Sequence, residues 1–312
     1  MKRMQWILPV VLLGWTLSGR AADNCPPVAA PPTAEQVQQG QAQAKDRGAL
    51  WRLRKDGRTA YLYGTAHVGQ LAWVFPGPKL VQALRESDGV AVEVDVTDPT
   101  AQAEVRRANA EATPLKLSSE EQARLDRQAD AACVPRGAFA AFHPVMQAFQ
   151  YVALSGRWVG LDPAYGQELM LIGAARALGR PVMSLESIAL QLGLLLPKDA
   201  DKSRRLLHMS LESLEKGEAN KTLARLGQAW ERGDLATLEN MEALCQCQPT
   251  AEEKAFHTEL NDGRNPHLAQ RMAEAHGQGK SWLFAVGFLH MTGPKALPKL
   301  LEQQGFSVER VY

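Results

Sequence analysis

The sequence lacks the short motifs that identify several large enzyme classes. It contains no His-Glu-x-x-His, no Gly-x-Ser-x-Gly, no Gly-x-x-x-x-Gly-Lys-Ser/Thr and no Gly-x-Gly-x-x-Gly. Each of these motifs carries a defined chemistry, from zinc ligation to phosphate or dinucleotide binding. Their absence disfavours zincins, serine hydrolases of the α/β type, P-loop enzymes and Rossmann oxidoreductases.

The chain also lacks an excess of charge of either sign. Its formal net charge is +1 and its isoelectric point is about 7.7, so neither a basic surface for nucleic acid nor an acidic tail is indicated. Aromatic residues make up 6% of the 312 residues and do not form the stacking motifs of single-strand binders. We therefore expect no nucleic-acid partner.

The N-terminus has the pattern of a secretory signal peptide. A basic start precedes an apolar segment, Trp6 to Leu17, that is too short to span a bilayer comfortably, and small residues follow up to Ala21. We expect cleavage before Ala22, with an uncleaved anchor as the alternative, and no stable membrane insertion after cleavage. The predicted organisation is a signal peptide at 1–21, a Pro/Ala/Gln-rich linker or tail at 22–49 and one α/β domain at 50–312 in a periplasmic or secreted protein.

Export makes the four cysteines candidates for disulfide bonds. Cys245 and Cys247 are too close in sequence to close an unstrained bridge with each other, so long-range bridges of unknown connectivity are expected. A zinc site is the alternative, but no histidine stands beside this pair at the spacing of a zinc finger. The other two cysteines are Cys25 and Cys133.

One pattern occurs twice, near the two ends of the predicted domain. An apolar strand, 59–63, leads into Gly64-Thr-Ala-His67, and a second strand leads into Gly287-Phe-Leu-His290. Each motif is followed by an amphipathic helix and another β-branched segment, the first of which is 90–96. The sequence thus predicts a mixed α/β sheet built from two related strand–Gly-x-x-His–helix–strand halves, whose strands pair centrally, with a helical middle insertion. A short strand at 159–161 and a helix over 139–154 are expected within that middle.

Four candidate functional residues follow strands of this predicted sheet. Ligands of open α/β sheets bind at the carboxyl ends of strands, where His67, Glu93, Glu186 and His290 are expected. Imidazoles with a carboxylate suit zinc, manganese, cobalt or iron and leave positions for water and substrate. The alternative for Glu93 is a polar, solvent-facing strand surface shared with Asp95, since residues two apart lie on one face. The alternative role for Glu186 is to cap the helix that is predicted to begin at Ser187.

These motifs together resemble the TraB/GumN family, which also includes the animal Tiki proteases. The resemblance extends from about Leu50 to Tyr312 and implies an α/β fold similar to the erythromycin-esterase and ChaN-like group. For the Tiki branch it implies metal-dependent proteolysis, which assigns His67, Glu93 and His290 as metal ligands. The matching segments are Leu50-Trp-Arg-Leu, Tyr63-Gly-Thr-Ala-His67-Val-Gly69, Val92-Glu93-Val-Asp95, Leu185-Glu186-Ser, Arg264-Asn265, Val286-Gly-Phe-Leu-His290 and Gly305-Phe-x-Val-Glu-Arg-Val. Phe288 replaces a small residue that is common in the second motif.

The leading hypothesis is an exported metal-dependent hydrolase, a peptidase that binds Mn²⁺ or Co²⁺, or Zn²⁺, and acts on a peptide or protein substrate. Glu186, Arg264 and Asn265 are the expected catalytic residues. Glu186 is the candidate general base or further ligand, and Arg264 would orient substrate or stabilise an oxyanion. Two alternatives remain: a periplasmic protein that binds or sequesters a peptide or other ligand on the same scaffold, and a structural domain held by disulfides.

Overall fold

The computed structural model describes residues 24–240, 242, 244 and 250–312. The predicted signal peptide at 1–21, Cys245 and Cys247 lie outside the described residues. No helix in the described part of the chain is long and apolar enough to cross a bilayer.

A six-stranded mixed sheet forms the centre of the molecule. The hairpin of the first two strands turns through Asp56-Gly57, both with positive φ, as an Asp-Gly turn requires. The spatial order is β4-β3-β5-β2-β1-β6, in which β4, β3, β5 and β2 run parallel and β1 is antiparallel to both of its neighbours. The strands are β1 Ala49–Lys55, β2 Arg58–Thr65, β3 Gly89–Val92, β4 Val182–Ser184, β5 Trp282–Gly287 and β6 Ser307–Arg310.

Helices cover the sheet. Those in the chain segment that connects β3 to β5 also form a separate packed region. Many begin at a capping residue, as at Ser118, whose hydroxyl accepts from Glu121 N while the Glu121 carboxylate accepts from Ser118 N. The helices are α1 Ala34–Ala42, α2 Pro78–Glu86, α3 Pro99–Glu111, α4 Ser119–Ala131, α5 Pro144–Ser155, α6 Gln167–Ala177, α7 Ile188–Leu195, α8 Ala200–Glu215, α9 Glu218–Arg232, α10 Leu235–Glu239, α11 Ala251–Leu260, α12 Asn265–Gly277 and α13 Leu297–Gln303.

The two repeated units pair at the centre of the sheet, as the sequence predicts. β2 and β5 lie side by side and parallel, with Thr65 opposite Gly287. The first unit continues through α2 to β3, which lies on the far side of β5, and the second continues through α13 to β6, which lies beyond β1. The connection within each unit therefore crosses over the first strand of the other unit. Both histidine motifs leave the sheet at the same edge.

Two strand predictions are wrong, and both depend on local turns. The strand predicted over 90–96 ends at Val92, because the Asp95 carboxylate accepts hydrogen bonds from Thr97 N and Oγ1 and closes a turn. The chain at 159–161 is not a strand: residues 156–159 form a 3-10 turn. The helix predicted from residue 139 begins at Pro144, where proline's fixed φ suits the first turn.

The solvent-facing alternative for Glu93 and Asp95 is also wrong. β3 lies between β4 and β5 and is not an edge strand. Glu93 is 6% exposed and Asp95 is 5% exposed, and Asp95 forms an ion pair with Arg176 of α6. Buried carboxylates require cations or hydrogen-bond donors, so the partners of Glu93 are the next question.

The segment before the sheet packs on the domain. It carries α1, and a disulfide joins Cys25 to Cys133 across 108 residues, which confirms one long-range bridge and supplies the pairing that the sequence left open. Ala30 donates to and accepts from the Tyr165 hydroxyl. The chain preceding β1 is thus attached to the helical region and to the loop before α6.

Candidate functional site

The topology brings the four strand-end candidates to one place. Because β2, β3, β4 and β5 are parallel, the residues that follow them leave the sheet at the same edge. Beyond the strands, Glu186 N donates to Glu93 O at 2.9 Å, so the two glutamates leave the sheet side by side. His67 and His290 follow the neighbouring strands by two and three residues.

Arg264 joins the two glutamates. Its Nη2 donates to Glu93 Oε2 and Glu186 Oε2, and its Nε donates to Glu186 Oε1 at 3.0 Å. Gln191 Nε2 donates to the same two Oε2 atoms, at 3.2 and 3.1 Å. The Arg264 side chain is 12% exposed and the Glu186 side chain is fully enclosed. This is a buried guanidinium–dicarboxylate cluster, in which loss of Arg264 would leave two buried carboxylates without their cation.

The other carboxylate oxygen of Glu93 faces the two histidines. Oε1 accepts from Gly287 N at 2.7 Å and lies 3.7 Å from His290 Nε2. A Cβ atom built on Gly287 would lie 3.1 Å from this oxygen, 3.4 Å from His67 Nε2 and 3.6 Å from His290 Cδ2. One point beside Gly287 is therefore surrounded by all three predicted ligand side chains, and glycine leaves that space open.

His290 is held in one tautomer by Asn265. The Asn265 amide nitrogen donates to the carbonyls of His290 and Lys295, at 3.2 and 2.8 Å. Those two acceptors fix the orientation of the amide, so its oxygen faces His290 Nδ1 and accepts a proton from it. The lone pair of this buried ring is then on Nε2, on the side of Glu93.

His67 has the same arrangement with a different partner. Its Nδ1 lies 3.0 Å from Glu168 Oε1, which also accepts from the Thr65 hydroxyl of the same motif. A carboxylate only accepts, so Nδ1 carries the proton and Nε2 faces the space beside Gly287. The start of α6 is fastened to this loop by Gln167, whose backbone and side chain both bond to Ala66.

The charges of the cluster shift its pKa values in opposite directions. The Glu168 carboxylate raises the pKa of His67, although solvent reaches 70% of that side chain and screens part of the attraction. Burial lowers the pKa of His290. Burial also raises the pKa of Glu93, but the charges of Arg264 and of His290, which is protonated only at low pH, lower it by more, so the net shift is downward. At pH 7 His290 is therefore largely neutral, whereas His67 is mostly protonated and Arg264 is permanently charged.

The residues around Gly287 fit a divalent cation in donor chemistry, although they are not in a finished ligating arrangement. Two imidazole Nε2 atoms and a carboxylate oxygen form a donor set typical of zinc, manganese or cobalt, and His67 must lose its Nε2 proton to take part. Across the described ranges, no group of three or more His, Cys, Asp or Glu side chains is already positioned to hold a metal ion. His67 is the exposed member of the three, with room to adjust toward the buried pair.

Sequence reasoning missed Glu168 and Gln191. Glu168 lies in the first turn of α6, where an acidic residue is common because it favours the helix dipole, and Gln191 lies within an apolar helix, α7. Neither position carries a motif. Their contacts depend on how α6 and α7 dock against the sheet edge, which residue spacing does not reveal.

The fold and the site define an α/β protein with a His/Glu/His cluster at the carboxyl ends of parallel strands. A family model described as the TraB/PrgY/gumN family matches residues 49–310, which is most of the chain, and the protein belongs to that family. No curated protein and no solved structure matched the chain.

Proposed function

We propose that the protein is an exported metal-dependent hydrolase that acts on peptides. The observation that carries this proposal is the space beside Gly287, which the predicted ligands His67, Glu93 and His290 surround at 3.1 to 3.6 Å. The peptide substrate rests on the resemblance of the two Gly-x-x-His motifs to the Tiki branch, and a likeness to the ChaN-like folds belongs to the same proposal.

The protein's own groups would prepare the site for the ion. His67 Nε2, Glu93 Oε1 and His290 Nε2 would bind it, while Glu168 and Asn265 keep the protons on the two Nδ1 atoms. A bound divalent cation would acidify a water molecule and polarise a substrate carbonyl. Burial of Glu93 under Arg264 and Gln191 keeps its Oε1 directed at the histidines.

The geometry favours positioning roles for two of the residues expected to be catalytic. Glu186 has no exposed side-chain area and is paired with Arg264, so in this conformation it does not meet a water molecule as a general base would. Asn265 is fully buried and orients His290. Arg264 is partly accessible, and any contact with a substrate carboxylate or oxyanion would come from the one Nη1–H group that is not bonded to Glu93, Glu186 or Leu260 O.

The disulfide between Cys25 and Cys133 supports export, because such bonds persist in oxidising compartments. The periplasm or the extracellular space is therefore the proposed location. The bridge also ties residue 25, close to the predicted cleavage site, to the folded domain.

A second candidate function is a protein that binds a peptide or another ligand with the same histidines and does not cleave it. The observation that favours it is the Arg264 cluster, which occupies both Glu93 Oε2 and the whole Glu186 carboxylate. A hydrolase needs a base free to take a proton. A sequestering protein does not.

Metal analysis of the mature protein, from Ala22 onward, tests the proposal. After dialysis against Mn²⁺, Co²⁺ or Zn²⁺, we expect about one equivalent in the wild type. His67→Ala and His290→Ala should each lose the metal while circular dichroism shows an intact fold. His257→Ala, at an exposed position of α11, is the matched control and should retain it.

A peptide library incubated with the loaded protein then separates the two functions. Cleavage that disappears in His67→Ala supports the hydrolase, whereas saturable peptide binding without products supports the sequestering protein. Absence of metal from the wild type with all three ions would remove the basis for the hydrolase.

A further inference from the structure

A second cavity lies in the helical region and shares no residue with the strand-end site. It has a volume of about 240 Å³ and is enclosed by α4, α5, the 3-10 turn at residues 156–159 and the junction of α8 with α9. Its rim is built firmly: Trp158 Nε1 donates to Ala131 O at 2.9 Å, and Arg157 Nη1 donates to Ala132 O at 3.4 Å. The disulfide at Cys133 follows directly and anchors the end of α4.

Three polar groups on the wall of this cavity have no partner in the described part of the protein. Gln128 is 7% exposed and Tyr151 is 3% exposed, and neither side chain forms a hydrogen bond with a described residue. The Asn220 Oδ1 atom is buried and equally without a partner. Buried polar groups are nearly always bonded, and leaving one unpaired costs about 1–3 kcal/mol. Asn220 Oδ1 is such a group. The Gln128 amide and the Tyr151 hydroxyl line the same space without a described protein partner, and the three together indicate a binding site.

The chemistry of the wall selects an uncharged ligand. Its remaining residues are small, apolar or hydroxylic, and none of the residues that line it carries a charge, so a charged ligand would be desolvated without compensation. Asn220 Oδ1 requires a donor, and the Gln128 amide and the Tyr151 hydroxyl each offer both a donor and an acceptor. A secondary amide, which has one N–H and one C=O, satisfies groups of both kinds at once.

We propose that this cavity binds an uncharged ligand that presents a secondary amide. Two kinds of molecule carry that group at a suitable size: an N-acylated amino sugar and a single capped amino-acid residue. The cavity is smaller than the roughly 300–1,000 Å³ of drug-sized pockets, so one sugar ring or one residue is the unit recognised. The half-exposed Trp158 ring supplies an apolar surface at the mouth.

The test is calorimetry and ligand-observed NMR on the full mature chain with three small probes. N-acetylglucosamine and N-acetyl-alanine methylamide carry the amide, and glucose lacks it. For ligands of this size we expect a Kd of about 1 mM for at least one amide probe and binding weaker by at least tenfold for glucose. The amide probe that binds more tightly identifies the source of the ligand.

Three variants locate the binding. Ala131→Phe fills the rim from an exposed position and should abolish binding, whereas Ala110→Phe, the same change on the exposed surface of α3, should not. Gln128→Leu should weaken binding at least tenfold while the melting temperature is kept or raised, because an amide without a protein partner is replaced by an apolar side chain of similar shape.

The proposal is overturned by any of three results. These are no binding of either amide probe at about 20 mM, equal binding of glucose, or equal loss in Ala110→Phe and Ala131→Phe. Because metal content is not measured, failure here leaves the strand-end site unaffected.

Discussion

The two Gly-x-x-His units place their histidines at adjacent parallel strand ends but give them opposite surroundings. The His67 side chain is 70% exposed and its Nδ1 faces the carboxylate of Glu168, whereas the His290 side chain is 4% exposed and its Nδ1 faces the neutral amide of Asn265. The pKa of the first ring is raised and that of the second is lowered. A repeated motif thus positions two similar rings, and the helix docked behind each ring decides its protonation.

The comparison divides the site into a buried half with fixed side chains and an exposed half that can adjust. The buried half, with Asn265 and the Arg264 cluster, has its donor atoms held in place by the protein's own hydrogen bonds. The exposed half can adjust and is open to solvent. If the site binds a metal as proposed, one rigid donor pair and one adaptable ligand would allow entry and exchange at the exposed side.

The largest expected effect distinguishes the two motif glycines. Gly287→Ala places a methyl group in the space between the predicted ligands, 3.1 Å from Glu93 Oε1, and should lower metal affinity on the order of 100-fold with little loss of stability. Gly64→Ala places its methyl group against the buried Phe288 ring and should instead lower the unfolding free energy by about 1–3 kcal/mol. Metal titration and urea unfolding of both variants measure the contrast. Equal effects of the two substitutions on metal affinity would contradict it.

Removing the amide behind the buried ring should have the next largest effect. Asn265→Ala frees His290 Nδ1 and leaves two backbone carbonyls without their donor, so we expect about 10–100-fold weaker metal binding and about 1–3 kcal/mol lower stability. Asn261→Ala is the matched control, since its amide donates to His257 O at an exposed helix end. If Asn265→Ala kept full metal affinity, the orienting role would be excluded.

Removing the Glu168 charge beside the exposed His67 ring should lower metal affinity more than the stability of the fold. Glu168→Gln keeps the shape of the side chain and should weaken metal binding about tenfold while lowering the pKa of His67. Glu120→Gln provides a control in the exposed first turn of α4. NMR titration of the imidazole resonances follows the pKa, and an unchanged His67 titration would show that Glu168 does not govern the ring.

The smallest effect is a pH dependence of the metal-free protein. The pKa of His67 rises from 6.5 to about 9, so its pairing with Glu168 stabilises the fold fully below pH 6.5 and loses that contribution as the pH rises through about 9. Solvent screening keeps the contribution small. Thermal unfolding between these pH values, with a chelator present, should show a decline that is absent in Glu168→Gln. A decline of the same size in both proteins would assign it to other groups.

The sequence by itself determined the repeated units, the strand-end residues and the general class of the fold. Alternating apolar segments, an Asp-Gly turn and two Gly-x-x-His motifs are local signals, and parallel strands bring the residues after their carboxyl ends to one edge of the sheet. That is why His67, Glu93, Glu186 and His290 were expected together. The same motifs carried the family resemblance, which is confirmed over residues 49–310.

Only the tertiary structure decided what these residues contact. β3 ends after four residues, where the Asp95 side chain forms a turn in place of further strand pairing. The alternation of apolar and polar residues along the sequence does not reveal this competition. Glu168 and Gln191 came to the site from helices without a motif, and Arg264 engaged two carboxylates 171 and 78 residues away in sequence. Partners at such separations are selected by packing, because a buried charge accepts whatever opposite charge the fold brings within reach.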